Sequence, residues 1–137
     1  MKTLLTILPA LLVAAPALAE DAPICFPLPS SHRVSLEVDG GSALGLVDAI
    51  ACLGGLIPDR TPGVRDRAVT LRSPAPRRYA VALADVASVL SKSCLSVAKK
   101  GRRLVVKERT GRKCPAASDG RPVRTELPTG DHEARIT

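Results

Sequence analysis

Cysteine is the residue type that offers this chain the most chemistry. Four cysteines occur, namely Cys25, Cys52, Cys94 and Cys114, and no two of them form a Cys-x-x-Cys motif. The only histidines are His32 and His132, and neither lies at ligand spacing from a cysteine, which disfavours a zinc site. In an oxidising compartment, four cysteines in a short chain are typical of two disulfides.

The sequence contains no arrangement that is typical of an enzyme. Its serines lack the Gly-x-Ser-x-Gly elbow of hydrolases. The segment 39–45 precedes a predicted helix, but it has neither the glycine spacing nor the lysine of a phosphate-binding loop, so it indicates a capped turn. The acidic residues Glu37, Asp39, Asp48 and Asp85 are scattered over different predicted elements. We therefore expect a non-enzymatic protein with no catalytic residues, no metal and no cofactor.

Positive charge is the second chemical feature. The 137 residues carry a formal net charge of +7, and the excess is concentrated between Lys92 and Lys113, where Glu108 is the single acid. Such a segment favours an anionic partner. The candidate binding residues are Lys99, Lys100, Arg102, Arg103, Lys107, Arg109, Arg112 and Lys113.

The first residues follow the order of a cleavable secretory signal. Lys2 precedes an apolar run over residues 4–15, and Ala17-Leu18-Ala19 supplies a small-residue cleavage site. The run is shorter than the roughly 20 apolar residues of a membrane span. We expect cleavage after about Ala19 and a periplasmic or secreted protein, in a compartment where cysteines oxidise.

The rest of the chain predicts one small domain. Residues 20–31 are proline-rich and indicate an extended lead-in, residues 32–108 form the folded domain, and the basic and polar tail 109–137 is expected to be partly disordered. Hydrophobic spacing predicts strands at 32–38, 56–57 and 68–72, a turn at 39–41, helices at 42–53 and 77–91, and a hairpin at 95–106.

This order, β-α-β-β-α-β-β, predicts a two-layer α/β (α+β) domain with both helices on one face of a small mixed sheet. If each helix returns along the strand before it, Cys52 comes close to Cys25. The strand that begins at Cys94 has a partner ending near Glu108, within reach of Cys114. The first-choice disulfides are therefore Cys25–Cys52 and Cys94–Cys114. All four cysteines would lie near one end of the domain, so the other pairings remain open.

Core and turn positions across the domain carry a resemblance to a known family. They lie at 34–38, 46–50, 54–57, 62–64, 68–71, 81–83 with 89–90, and 101–106. Over about residues 32–108 the chain resembles the N-terminal periplasmic domains of bacterial secretins, which are also found as short N-terminal (STN-like) modules of outer-membrane receptors. The resemblance implies a stand-alone interaction module, an accessory or adaptor that contacts a protein of a secretion or receptor assembly in the cell envelope. It also allows a homo-oligomer.

Two other partner classes compete for the basic segment. It could contact phosphate groups of anionic lipids or cell-wall polymers, and a similar strand and helix order occurs in KH-type nucleic-acid modules. Nucleic acid is disfavoured because Phe26 and Tyr79 are the only aromatic residues and no Gly-x-x-Gly loop lies between the helices. The sequence also leaves open whether the charges are simply a solvated face.

Overall fold

The computed structural model describes residues 28–29, 32–73, 75–109, 114, 116–126 and 133–137. The predicted signal segment and Cys25 lie outside these residues, as do Arg112 and Lys113. The elements are β1 (Arg33–Ser42), α1 (Ala43–Leu53), β2 (Ile57–Arg60), β3 (Ala68–Arg72), β4 (Arg77–Arg78), α2 (Tyr79–Lys92), β5 (Leu95–Lys100), β6 (Arg103–Glu108), β7 (Thr125–Glu126) and β8 (Glu133–Ile136).

Local side chains and a glycine fix both ends of α1. The Ser42 hydroxyl accepts a hydrogen bond from the Gly45 N–H at 2.9 Å, and Asp66 Oδ1 accepts one from the Leu44 N–H at 3.1 Å. These bonds satisfy N–H groups that have no partner inside the helix. At the other end the Gly54 N–H donates to the carbonyls of the last turn. Ser42 is the N-cap of α1 and lies within the segment 39–45, for which the sequence predicts a capped turn.

The predicted hairpin is also confirmed. β5 pairs antiparallel with β6, in a register that runs from Leu95 opposite Glu108 to Lys100 opposite Arg103. Gly101 and Arg102 form the connection, and Gly101 has a φ of 62°, which glycine adopts without the steric penalty of a side chain.

The strands form two sheets, so the prediction of one small sheet is wrong. The five-stranded sheet has the order β3-β1-β8-β7, with β4 also paired to β1, and the three-stranded sheet has the order β2-β6-β5. α1 contacts β1 and β8 of the first sheet and β2 and β6 of the second, and α2 contacts β1, β3 and β4 of the first sheet and β5 of the second. Each helix therefore packs against strands of both sheets.

The burial of α1 explains this arrangement. Eight residues of α1 are buried, and on a helical wheel they cover well over half of its circumference: Ala43, Leu44, Leu46, Val47, Ala49, Ile50, Ala51 and Leu53. A helix with so wide an apolar surface needs cover on more than one side, which a single sheet cannot provide. In α2, by contrast, only the stripe of Ala82, Val86 and Leu90 is fully buried.

The predicted turn at residues 39–41 is part of β1. Gly40 has a φ of 62°, and the register of β1 against β3 shifts between Val38 and Gly41. The glycines therefore form a bulge, which bends the strand without ending it. β1 continues to Ser42, where α1 begins.

The sequence predicts a partly disordered tail over residues 109–137, but Glu133–Ile136 within it forms a strand. This segment is β8, which lies parallel to β1 with Arg33 opposite Glu133 and Leu36 opposite Ile136. Ala134 and Ile136 are completely buried in the common core. The tail therefore contributes to the core of the domain.

Cys94 and Cys114 form the disulfide expected for this pair, with 5.6 Å between their Cα atoms. The bond connects the end of α2 to the chain that follows β6. Cys52 is also disulfide-bonded, while Cys25, its first-choice partner, lies outside the described residues. Within the described part of the chain, no helix is long and apolar enough to cross a bilayer.

Candidate interaction surface

The described members of the predicted basic set are all exposed. They are Lys99, Lys100, Arg102, Arg103, Lys107 and Arg109. β6 shows how they are arranged, because its Leu104 and Val106 are buried against the helices while Arg103 and Lys107 alternate with them on the opposite side. We call that opposite side of the three-stranded sheet the outer face.

The outer face is a small flat array. Residues paired across neighbouring strands share a face, so the register places them in rows. Ile57, Arg103 and Lys100 form the first row, Asp59, Val105 and Ala98 the second, and Lys107 with Ser96 the third. Ile57 is 58% exposed, whereas Val105, in the middle of the array, is only 9% exposed. The surface thus combines cations with apolar area.

The cations of the outer face are poorly compensated. Lys100 lies directly opposite Arg103, and like charges in this position destabilise a sheet. Asp59 offsets part of this repulsion, since its Oδ2 lies 3.4 Å from Arg103 Nη1. Both side chains are exposed, however, and such ion pairs contribute little to stability. No ion pair joins Lys100 or Lys107 to another residue among those described. A bound anion would relieve this repulsion.

Glu108, the single acid of the basic segment, does not neutralise the outer face. Its Oε1 accepts hydrogen bonds from the Arg65 backbone N–H at 3.0 Å and from Arg67 Nη1 at 3.2 Å. The Arg65 N–H, followed by the Arg67 guanidinium, lowers the pKa of Glu108. Arg67 is only 7% exposed, so Glu108 compensates the charge of a buried cation.

The predicted basic set does not form one surface. Lys100, Arg103 and Lys107 share the outer face, and Arg102 lies in the hairpin turn beside it. Lys99 is on the opposite side of the strand, at its exposed end. Arg109 lies at the other end of the hairpin, where its Nη1 donates to Ser91 Oγ of α2 at 2.7 Å.

A cleft of about 660 Å³ is a second cationic feature, which the sequence analysis missed. It lies between the end of α1 and the start of α2, and its lining residues are Leu28, Pro29, His32, Arg33, Leu53, Gly54, Arg78, Tyr79 and Ala80. Arg33 and Arg78 lie directly opposite each other where β1 pairs with β4. The only sequence signal was the Arg77-Arg78 pair at a helix start, where Ser or Asp would be usual.

Tyr79 also lines the cleft, and its hydroxyl has a structural partner. Its hydroxyl donates to the Ile50 carbonyl at 2.6 Å, and burial raises its pKa to about 12. A phenol with this pKa is a poor general base at neutral pH. Among the described residues, no group of three or more His, Cys, Asp or Glu side chains could hold a metal ion.

No protein-family model, no curated protein and no solved structure matches this chain. The likeness to secretin N-terminal domains therefore stays a prediction from the residues that carry it. A functional proposal has to come from the geometry and charge of the molecule.

Proposed function

We propose that this chain is a non-enzymatic protein-interaction module that binds an acidic partner protein through the outer face. The supporting observation is the combination of Lys100, Arg103 and Lys107 with Ile57, an apolar side chain that is 58% exposed. Interfaces between proteins commonly contain an apolar centre with polar groups around it. Arg103 has a further advantage, because its guanidinium can bind a carboxylate through two parallel hydrogen bonds.

The apolar part of the outer face favours a protein over an anionic surface. Lipid headgroups and cell-wall polymers that bind through phosphate use the cations alone, and their contacts are screened by salt. A solvated cell-wall polymer or a headgroup contacted only through its phosphate leaves Ile57 in water, whereas burial of apolar area contributes to association between proteins. Attachment to an anionic envelope surface is the alternative that the experiment below tests.

The cellular setting of the proposal comes from the sequence. An exported domain that resembles secretin N-terminal domains would meet its partner in the cell envelope, as an accessory or adaptor of a secretion or receptor assembly. Two features support this setting, the signal-like first residues and the oxidised cysteines.

Co-purification from native envelope extracts tests the proposed function. The variant Lys100→Glu/Lys107→Glu reverses two exposed outer-face cations, and we expect it to lose a stoichiometric partner that the unaltered protein retains. Arg121→Glu/Arg124→Glu is the matched control, since it makes the same change in net charge at two exposed residues close to the other sheet. Retention of the partner by the outer-face variant, or equal loss from both variants, would refute a specific role for this face.

A second variant separates a protein partner from an anionic surface. Ile57→Ser removes the exposed apolar side chain and leaves every cation in place. We expect it to weaken the protein complex without changing sedimentation with vesicles of anionic phospholipid. If the unaltered protein instead sediments with these vesicles in a salt-reversible way, and Ile57→Ser retains all binding from the extract, the surface-binding alternative is correct.

A further inference from the structure

The outer edge of β5 carries backbone groups without a strand partner among the described residues. β5 pairs with β6 and with no other described strand. The Arg109 N–H donates to the Cys94 carbonyl at 2.9 Å, and in an antiparallel pair only every second residue of a strand exchanges hydrogen bonds with its neighbour. Counting by twos from Cys94, the residues bonded to β6 are Ser96, Ala98 and Lys100. The N–H and C=O groups of Val97 and Lys99 therefore point to the open edge.

This edge becomes more accessible towards the hairpin turn. Leu95 is completely buried, Val97 is half-buried, and Ala98, Lys99 and Lys100 are exposed. The second half of β5 thus extends beyond the cover that the helices give to its first half. A strand that added here would pair with the backbone of Val97 and Lys99, which no other described strand does.

The other edge of the same sheet is closed to strand addition. The N–H groups of Ile57 and Thr61 donate to β6, at 2.8 Å and 3.1 Å. Because hydrogen bonding to one neighbour alternates along a strand, the backbone groups of Pro58 and Arg60 point away from β6. Pro58 is one of these outward residues, and it has no N–H to offer. Of the two edges of this sheet, the β5 edge alone has a full set of backbone donors.

We propose that the β5 edge accepts an extended acidic segment of the partner protein as an added strand. This inference rests on the proposed function, and it specifies the conformation and the chemistry of the segment that binds. Lys99 and Lys100 lie on opposite sides of β5, so an added strand with acidic residues on both of its faces would meet a cation on each. Backbone hydrogen bonds supply affinity in this mode of recognition, and the side chains that alternate along the strand supply specificity.

Charge argues against a second copy of this chain as the occupant. Pairing two β5 edges would place Lys99 and Lys100 of both copies in one two-stranded ribbon. Lysine on an exposed edge is a common means of preventing such self-association. The same two lysines attract a strand of opposite charge.

The experiment uses a synthetic eight-residue peptide with blocked ends and the repeat Glu-Glu-Val-Val, which places glutamate on both faces of an extended strand, titrated into the protein by calorimetry. Lys99→Ala and Lys99→Pro lose the same charge, but only the proline variant also loses the outward N–H. We expect Lys99→Ala to bind a few-fold more weakly than the unaltered protein. Lys99→Pro should be weaker again by about fivefold or more, the effect of one lost hydrogen bond and a misaligned edge. Equal affinity of the two variants would overturn strand addition.

Amide hydrogen exchange on the unaltered protein tests the proposal without any substitution, in case Lys99→Pro does not fold. On peptide binding, the N–H groups of Val97 and Lys99 should gain protection, while those of Ser96 and Ala98 are already protected by β6. Peptide binding without this gain, or no peptide binding at all, would overturn strand addition.

The two proposals can fail separately. A partner from the envelope extract that binds Lys99→Pro as well as Lys99→Ala would overturn strand addition and leave the role of the outer face intact. A partner that is retained by Lys100→Glu/Lys107→Glu would refute the proposed function itself.

Discussion

Tyr79 connects the two helices at the level of single residues. Its hydroxyl, at the start of α2, donates to the Ile50 carbonyl near the end of α1. The contact requires Gly54, because a Cβ at that position would collide with the phenol ring and hydroxyl of Tyr79. The glycine that ends α1 therefore also makes room for the tyrosine that begins α2.

The titration of Tyr79 gives the first prediction. Tyr79 is the only tyrosine and the chain has no tryptophan, so phenolate absorbance reports this one group. We expect a midpoint near pH 12 in the folded protein, because burial raises the pKa of Tyr79 to about 12. In denaturant the midpoint should return to the ordinary value of about 10.

The same shift predicts how stability depends on alkaline pH. A raised pKa in the folded state means that the neutral phenol is favoured by folding, so its contribution is fully present below pH 10 and is lost as the pH rises towards 12. Tyr79→Phe should lack this alkaline loss. A folded protein whose Tyr79 titrates near pH 10 would contradict the description of Tyr79 as a buried group.

At the scale of elements, the ends of the helices could be predicted from the sequence, but the division of the strands between two sheets could not. Ser42 and Gly54 mark the two ends of α1 and form local hydrogen bonds there, so their residue types and spacing reveal the helix. The division into two sheets depends on what covers the far side of α1. The composition of α1 gives one hint that more than one side is covered, since Asp48 is the single charged residue among its eleven residues.

The connection between α2 and β5 gives the second stability prediction. Cys94 has a φ of 62°, a conformation that costs a residue with a side chain about 1 kcal/mol relative to glycine. With the disulfide removed in both variants, Cys94→Gly/Cys114→Ser should therefore be more stable than Cys94→Ala/Cys114→Ser. Urea unfolding measures the difference, and greater stability of the alanine variant would contradict the assignment.

Both variants should be less stable than the unaltered protein. The disulfide closes a loop with a sequence separation of 20, for which the chain-entropy description gives about 3 kcal/mol. The loss of the disulfide lowers the stability of both variants equally, so it does not affect the difference between the glycine and the alanine variant.

At the scale of the whole molecule, the largest surprise was the contribution of the tail. β8 has four residues, too few to establish an alternating pattern, and it follows a polar segment. Only its position beside β1 shows that Ala134 and Ile136 complete the core. Likewise, Arg33 and Arg78 are far apart in sequence, so their meeting at the cleft could not be seen before the strands were paired.

The burial of β8 predicts a large effect from a single substitution. Ile136→Ala should lower the free energy of unfolding by about 2–5 kcal/mol, as expected for truncation of a fully buried isoleucine. Arg135→Ala, on the exposed side of the same strand, should change it by less than about 0.5 kcal/mol. Similar small losses from both substitutions would show that β8 does not stabilise the domain in solution.

The pairing of β1 with β8 also determines the order in which the parts of the molecule can fold. The partners Arg33 and Glu133 are far apart in the sequence, so their contact has to wait until residues 133–136 have left the ribosome. The β5–β6 hairpin needs only its own two strands and a two-residue connection, and it can close within microseconds. The five-stranded sheet is therefore completed later than the hairpin, and until then β1 presents an unfilled edge to whatever the nascent chain meets.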